Sequence, residues 1–150
     1  MINKWDKRFL QLAQTVSNWS KDPSTKCGAV ITRGNRIVSI GFNGFPNKCS
    51  DHDHFYNDRI KKYNRVIHAE VNAILFAKQD LSDCSIYVYP IQPCSNCMAL
   101  IIQSGISKVF TLFPDEDKAK RWSDSFEESN QLAEESNTQI IRFKKELLCD

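Results

Sequence analysis

The sequence has almost no excess of charge, no long apolar run, no internal repeat and no low-complexity linker. Its 20 basic and 18 acidic residues leave a net charge of +2, so a nucleic acid polymer is not a predicted partner. A short basic cluster, Lys61, Lys62 and Arg65, could still meet a phosphate. No window reaches the length of a membrane span, and the N-terminal residues form no signal-peptide core. We therefore expect a cytoplasmic protein with no membrane partner.

The length and the cysteine content narrow the class further. At 150 residues, of which 41% are hydrophobic, the chain fits one compact domain. We expect a core over residues 5–143 and a tail over residues 144–150. The six cysteines would suggest disulfides in a secreted chain, but in a reducing compartment they indicate metal ligands or isolated thiols.

The hydrophobic periodicity predicts helices and strands in alternation. A spacing of three and four predicts a helix over residues 5–19, and two β-rich runs over residues 27–32 and 36–42 predict a hairpin. Residues 43–66 have no sustained period and are predicted to be a long functional loop with one helical turn. The remaining predicted elements are helices over residues 67–78, 94–104 and 118–135, the last with a solvated charged face, and strands over residues 85–90, 109–113 and 139–143. This order predicts an α/β fold with three α/β/α layers around a five-stranded mixed sheet.

Two short motifs carry the candidate chemistry. His68-Ala69-Glu70 opens one predicted helix, and Pro93-Cys94-Ser95-Asn96-Cys97 opens another. Two cysteines three apart on a first helical turn face the same way, and the positive helix end favours their thiolates. With His68 they supply three of the four ligands that tetrahedral zinc prefers, which leaves one position for a water that zinc activates. We predict one zinc ion held by His68, Cys94 and Cys97.

Glu70 distinguishes a catalytic site from a structural one. It follows His68 by two residues, close enough to move protons at the metal site without being a ligand itself. A structural zinc knuckle is the alternative for the cysteine pair, but it needs a fourth ligand that is not evident. Cys49, His52 and His54 are the candidates for a second metal cluster, also without an evident fourth ligand.

Together these motifs resemble the cytidine deaminase superfamily, and the resemblance covers residues 5–143. The H-x-E and P-C-x-x-C pair is the signature of zinc-dependent nucleobase deaminases. Within the superfamily, the chain resembles the deoxycytidylate deaminases in its long insertion before His68 and in three segments. These segments are Asp22-Pro23-Ser24-Thr25, Gly41-Phe42-Asn43-Gly44-Phe45-Pro46 and Glu70-Val71-Asn72-Ala73-Ile74. The resemblance implies hydrolysis of dCMP to dUMP and ammonia, which supplies dUMP for thymidylate synthesis. The alternatives are a deaminase of cytidine, cytosine, guanine or tRNA adenosine, or a zinc-stabilised binding module without turnover.

The resemblance also implies substrate contacts. Asn43 is expected to hydrogen-bond the sugar or the base, and the Ser24-Thr25-Lys26 turn is expected to approach the sugar and the phosphate. Backbone groups of Ala69 and of the strand end at Gln92 are expected to grip the pyrimidine. Phe113 follows the fourth strand, where many relatives carry a tyrosine, and is the candidate for stacking. Asn43 could instead occupy a left-handed turn.

Regulation and assembly are further expectations from the resemblance. Many deoxycytidylate deaminases are activated by dCTP and inhibited by dTTP, with Mg²⁺ as the companion of the triphosphate, and relatives commonly form hexamers. The candidate effector segment contains Gly44, Phe45, Pro46 and Lys48, because a glycine lets the backbone approach a triphosphate and a lysine supplies positive charge. The alternative is that the insertion only buries oligomer surface.

Overall fold

The computed structural model describes residues 2–149. These residues form α1 (Lys4–Ser17), β1 (Gly28–Arg33), β2 (Arg36–Phe42), α2 (Arg59–Arg65), α3 (Ala69–Ala77), β3 (Ser85–Tyr89), α4 (Ser95–Gln103), β4 (Lys108–Leu112), α5 (Glu116–Arg121), α6 (Ser123–Glu135) and β5 (Gln139–Phe143). Short 3₁₀ turns occupy Asp53–Tyr56 and Lys145–Leu148. No helix within residues 2–149 is both long enough and apolar enough to cross a membrane.

The strands form one mixed sheet in the order β2-β1-β3-β4-β5. The β1–β2 hairpin turns at Gly34, whose φ of +59° lies in the region that favours glycine. β1 pairs antiparallel with both β2 and β3, whereas β3, β4 and β5 run parallel. The carboxyl ends of the parallel strands therefore meet at one edge, where α/β sheets place their ligand sites.

The core consists of two buried clusters, one on each face of the sheet, because successive side chains of a strand point to alternate faces. Ile31 and Val109 pack into a buried cluster with residues of α3, α4 and α6, whereas Val30 and Phe110 pack into a cluster with residues of α1. A strand period of two produces this division, because successive side chains point to opposite faces. The predicted three-layer α/β/α fold with a five-stranded mixed sheet is confirmed.

A glycine on β2 sets the position of α3. A Cβ atom at Gly41 would lie 2.5 Å from both Ala69 O and Ala73 N, and contacts that short do not occur between real side chains and backbone. Glycine at this position therefore lets the backbone of α3 lie directly on β2. The first turn of α3, which follows His68, is seated against the sheet by this approach.

The insertion before α3 contains a helix of seven residues, α2, where the sequence predicted a loop with one helical turn. Asp58 begins α2 by accepting the Lys61 N–H at 3.1 Å. None of the seven residues of α2 is fully buried, so the helix has no apolar stripe that sequence periodicity could detect.

The last third of the chain also differs from the prediction. The helix predicted over residues 118–135 is two helices, because Trp122 leaves helical geometry at φ −110° and ψ 13°. The predicted tail returns to the core: Leu148 is buried in the α1-side cluster, and its carbonyl accepts a hydrogen bond from Gln11 Nε2 at 2.9 Å. Two adjacent leucines, Leu147 and Leu148, in a segment this short carry no periodic signal, which is why the sequence indicated a tail.

Candidate active site

Two helix starts bring the candidate metal ligands together. His68 is the N-cap residue of α3 and Cys94 is the N-cap residue of α4, both with extended backbone. Neither side chain forms a capping hydrogen bond with its own helix, so both are available to a ligand. Cys97 lies on the first turn of α4. The cysteine pair therefore spans the N-cap and the first turn of the helix.

The distances among these three residues fit a zinc ion. His68 Nδ1 lies 3.2 Å from Cys97 Sγ and 3.6 Å from Cys94 Sγ, and the three ligand atoms all lie within 4.8 Å of one another. Nitrogen and sulfur ligands of one tetrahedral zinc lie about 3.5 to 3.8 Å apart, so the residues would need only small shifts to bind it. Within residues 2–149 they are the one group of three metal-binding side chains, so Cys49, His52 and His54 do not form a second cluster.

Hydrogen bonds among the ligands stabilise the thiolate that zinc requires. The hydrogen bond with Cys97 lowers the pKa of the Cys94 thiol, and the same hydrogen bond raises the pKa of Cys97. The hydrogen bond with Cys94 raises the pKa of the His68 imidazole. Cys94 is thus the more acidic thiol of the pair, and because zinc binds cysteine as the thiolate, binding of a metal would release the proton of Cys97.

Glu70 provides a proton-transfer group beside these ligands. It lies on the first turn of α3 with only 5% of its surface exposed. Burial raises the pKa of its carboxyl group, while His68 acts in the opposite direction. A carboxyl group with a raised pKa can both accept and return a proton near neutral pH. Glu70 lines the same cavity as His68 and Cys94.

The cavity above these residues has a volume of about 210 Å³ and two walls, of which the sequence had indicated only Lys62, as a possible phosphate contact. The insertion contributes Lys62, Tyr63 and Val66, and the α5–α6 junction contributes Arg121, Trp122 and Phe126. The first wall carried no periodic signal, and the second lies in the segment predicted to be a solvated face. The available signal was the tryptophan at position 122, an unusual residue for a solvated charged helix.

The predicted Ser24-Thr25-Lys26 turn is organised by Asp22. Asp22 Oδ1 accepts the Ser24 N–H at 2.8 Å and the Thr25 N–H at 3.4 Å, and both Ser24 and Thr25 line the cavity. Lys26 is absent from the lining, since its Nζ donates to Ser20 O at 2.5 Å. The structure therefore places two of the three turn residues at the cavity and directs the charge of the third to a backbone carbonyl.

Asn43 lines the cavity, and its amide holds the neighbouring loop. Its Oδ1 accepts the Cys27 N–H at 2.9 Å, and its Nδ2 donates to Thr25 O at 2.9 Å and to Asp22 Oδ2 at 3.4 Å. Both amide protons are therefore used within the protein, while Oδ1 keeps one lone pair for a substrate. Asn43 does not have a positive φ, so the alternative role in a left-handed turn is wrong.

Gln92 and Ala69 also line the cavity. Arg142 on β5 donates to Gln92 Oε1 from Nε at 3.1 Å and from Nη2 at 2.8 Å, and Gln92 Nε2 donates to Asn130 Oδ1 at 3.1 Å. Oε1 of Gln92 is thus occupied, so Gln92 has its backbone and the second N–H of Nε2 to offer to a substrate. Ala69 is a fully buried residue on the first turn of α3.

Phe113 does not line the active-site cavity and is half exposed in a different groove with Pro114 and Lys145. The Phe113 N–H donates to Phe143 O at 3.0 Å, so β5 holds this residue beyond the end of β4. The expectation that Phe113 stacks on the substrate is therefore wrong for this structure. Trp122 and Phe126 provide the rings of that wall.

The candidate effector residues lie at a second groove, of about 420 Å³, between the insertion and α3. Gly44, Phe45 and Pro46 line it and Lys48 does not. Gly44 exchanges two backbone hydrogen bonds with Ile67, at 3.1 and 2.8 Å, which ties the two ends of the insertion together. The groove adjoins α3 on residues other than Ala69 and Glu70, which line the active-site cavity.

Comparison with known families identifies the zinc-binding part of the chain. Residues 3–113 match the family described as the cytidine and deoxycytidylate deaminase zinc-binding region. The match covers β1 to β4 and both helix starts that carry the candidate ligands. The α5–α6 wall and β5 lie beyond it.

Relatives align over most of the chain. An uncharacterized deaminase in the luxG 3′ region of Aliivibrio fischeri is 48% identical over 148 residues, which is 99% of each chain. The human deoxycytidylate deaminase is 40% identical over 126 residues, which cover 77% of this chain and 70% of the human protein. Among solved structures, the dCMP deaminase of cyanophage S-TIM5 in its apo form has a TM-score of 0.73 at 18% identity and covers 95% of this chain and 100% of its own. At that identity the structural likeness speaks for the fold.

Proposed function

Because the chain belongs to the family of zinc-dependent cytidine and deoxycytidylate deaminases, we propose that it hydrolyses dCMP to dUMP and ammonia as one deaminase domain. The observation that carries the proposal is that Glu70 lines one cavity with His68 and Cys94, whose ligand atoms lie within 4.8 Å of that of Cys97. The choice of dCMP is supported by the human relative, whose name is deoxycytidylate deaminase, and by the phage enzyme, whose structure is known in complex with dCMP and dUMP.

His68, Cys94 and Cys97 would hold the zinc ion. When bound, zinc supplies Lewis-acid activation of water at neutral pH. Glu70 accepts one proton from the attacking water and passes it to N3 of the cytosine. It then accepts the proton of the hydroxyl group added to C4 and passes it to the amine, which leaves as ammonia while the C4 carbonyl forms. Its burial keeps bulk water away from this exchange.

The remaining residues of the cavity would orient the nucleotide. Backbone groups of Ala69 and Gln92 grip the pyrimidine, and Asn43 contacts the sugar through the free lone pair of Oδ1. Ser24 and Thr25 approach the sugar and the phosphate from the turn that Asp22 holds. Because Lys26 Nζ donates a hydrogen bond to Ser20 O, Lys26 would act indirectly, by stabilising the turn.

Ammonia release by the purified zinc-loaded protein tests the proposal. dCMP, CMP, deoxycytidine and a tRNA anticodon loop would be supplied as substrates at equal concentrations. We expect dCMP to give the highest kcat/KM, because phosphate and sugar contacts orient the base for attack. Turnover confined to the anticodon loop or to a free nucleoside would overturn the substrate assignment but leave the deaminase family intact.

We further propose that the enzyme is a cytoplasmic homohexamer that supplies dUMP for thymidylate synthesis, with dCTP as activator and dTTP as inhibitor. The groove lined by Gly44, Phe45 and Pro46 is the candidate effector site. Lys48 follows Asn47 of the lining in sequence, and Mg²⁺ would accompany the triphosphate. Allostery requires an effector that binds the active arrangement better, and a coupling of about 1 to 3 kcal/mol would change the apparent affinity for dCMP about 5- to 150-fold. Superimposable dCMP saturation curves with and without Mg²⁺ and either triphosphate would remove this part of the proposal, and light scattering would test the hexamer.

A further inference from the structure

The active-site cavity has few cationic groups that could meet an anionic substrate. Apart from the candidate metal ligand His68, the basic residues of its lining are Lys62 on α2 and Arg121 at the end of α5. A phosphate monoester carries up to two negative charges near neutral pH and binds best to groups whose positive charge is not already neutralised. The existing partners of these two side chains therefore decide which of them can bind the phosphate of the substrate.

Lys62 is already paired. Its Nζ lies 2.8 Å from Asp22 Oδ1, and both side chains are largely buried, at 12% and 6% exposure. Lys26, the cation that the sequence placed at the phosphate, donates to Ser20 O and does not line the cavity. Lys21 forms ion pairs with Asp51 and Asp53. The lysines that surround the turn are thus engaged within the protein.

Arg121 is different, because it forms no hydrogen bond or ion pair with any side chain within residues 2–149. It is exposed, it lines the same cavity as Glu70 and Cys94, and it is followed by Trp122, which continues the wall. Asp117, one helical turn earlier, has the spacing of an ion-pair partner, but no such pair is formed. A guanidinium group offers a planar fork of N–H donors that matches two phosphate oxygens at once.

We propose that Arg121 binds the 5′-phosphate of the substrate and so determines the preference of the enzyme for a nucleotide over a nucleoside. The proposal rests on the proposed function, since it assumes that the base lies at Glu70 and the zinc ligands. Arg121 lies outside residues 3–113, the segment that matches the family's zinc-binding region, so the family motif did not identify it. Ser24 and Thr25 would contact the same end of the nucleotide as neutral donors, and Arg121 would supply the charge.

The experiment compares substrates that differ only in the phosphate. The kcat/KM values for dCMP and deoxycytidine are measured with the parent, Arg121→Gln, Arg121→Lys and the matched control Lys120→Gln. Lys120 carries the same charge as Arg121 at the preceding position, is exposed and does not line the cavity. For Arg121→Gln we expect the ratio of the two values to fall about 10- to 100-fold, mainly through KM for dCMP, because a charge-assisted hydrogen bond is lost. Arg121→Lys should lose less, since it keeps the charge without the fork. Lys120→Gln should keep the parental ratio.

Calorimetric binding of dUMP and deoxyuridine to the same zinc-loaded proteins separates this inference from the proposed function. A parent that binds dUMP better than deoxyuridine, with the difference lost in Arg121→Gln, supports the role of Arg121 whatever the turnover of dCMP. Equal loss for both ligands, or an unchanged difference, would overturn it. An absence of dCMP turnover in the parent would instead refute the proposed function. Circular dichroism melting of each variant checks that the fold is retained, and the exposed position of Arg121 favours retention.

Discussion

The ion pair between Lys62 and Asp22 should be the main attachment of the insertion helix to the substrate-binding turn. None of the residues of α2 is fully buried, so apolar burial contributes little to holding this helix in place. Within residues 2–149, the one ion pair between α2 and the rest of the protein joins Lys62 Nζ to Asp22 Oδ1 at 2.8 Å. We expect Lys62→Met to weaken both the stability of the protein and its affinity for dCMP.

The magnitude follows from the burial of both partners. Removing one member of a buried ion pair costs about 3 to 5 kcal/mol, because the other charge is left without compensation. Asp22 keeps backbone and side-chain donors from Ser24 and Asn43, which reduces the expected cost to about 2 to 3 kcal/mol. KM for dCMP should rise severalfold, because Tyr63 and Val66 on the same segment line the cavity.

Urea unfolding and steady-state kinetics measure the two effects. Lys61→Met is the matched control: Lys61 Nζ lies 4.1 Å from the centre of the Phe55 ring, and losing such a contact at the surface costs about 1 kcal/mol or less. The double variant Asp22→Asn with Lys62→Met should be less destabilised than the sum of the single variants. A Lys62→Met protein within about 0.5 kcal/mol of the parent, with an unaltered KM, would refute the reasoning.

Three further outcomes are expected. Cys94→Ala should lose nearly all bound zinc by elemental analysis while Cys49→Ala keeps it, and stoichiometric zinc in the Cys94 variant would show that the ligand set is wrong. Glu70→Gln should keep zinc but lose about 10²- to 10⁴-fold in kcat, whereas activity within tenfold of the parent would mean that another group moves the protons. Burial and the hydrogen bond to Asp51 raise the pKa of Tyr56 to about 12, so this pair stabilises the fold below the unfolded-state pKa of about 10 and loses that effect as the pH rises toward 12. Tyr56→Phe should therefore be about 1 kcal/mol less stable than the parent at pH 9, with a difference that shrinks toward pH 12, and a pH-independent difference would contradict this.

Several substrate-site predictions depend on which partner a side chain finds. Lys26 follows two cavity residues in sequence, yet Ser20 O lies within reach of its Nζ. Asn43 is at the cavity, but three groups of the neighbouring loop use its amide. Phe113 is held by the backbone of Phe143 at another groove. Hydrogen-bond partners distant in sequence decide these cases, and no local pattern encodes them.

The sequence by itself determined the layers of the fold and the chemistry of the metal site. Alternating apolar residues such as Val30 and Ile31 specify which face of the sheet each side chain joins, and short motifs at helix starts specify the candidate ligands, because both kinds of signal are local. Only the tertiary structure decided the walls of the cavity, where Lys62 on an unpatterned helix and Arg121 beside a helix break reach the site. Neither side chain belongs to an apolar stripe, so no periodic signal marks it. Lys62, for example, is held at the cavity by an ion pair with Asp22, which lies 40 residues earlier in the chain.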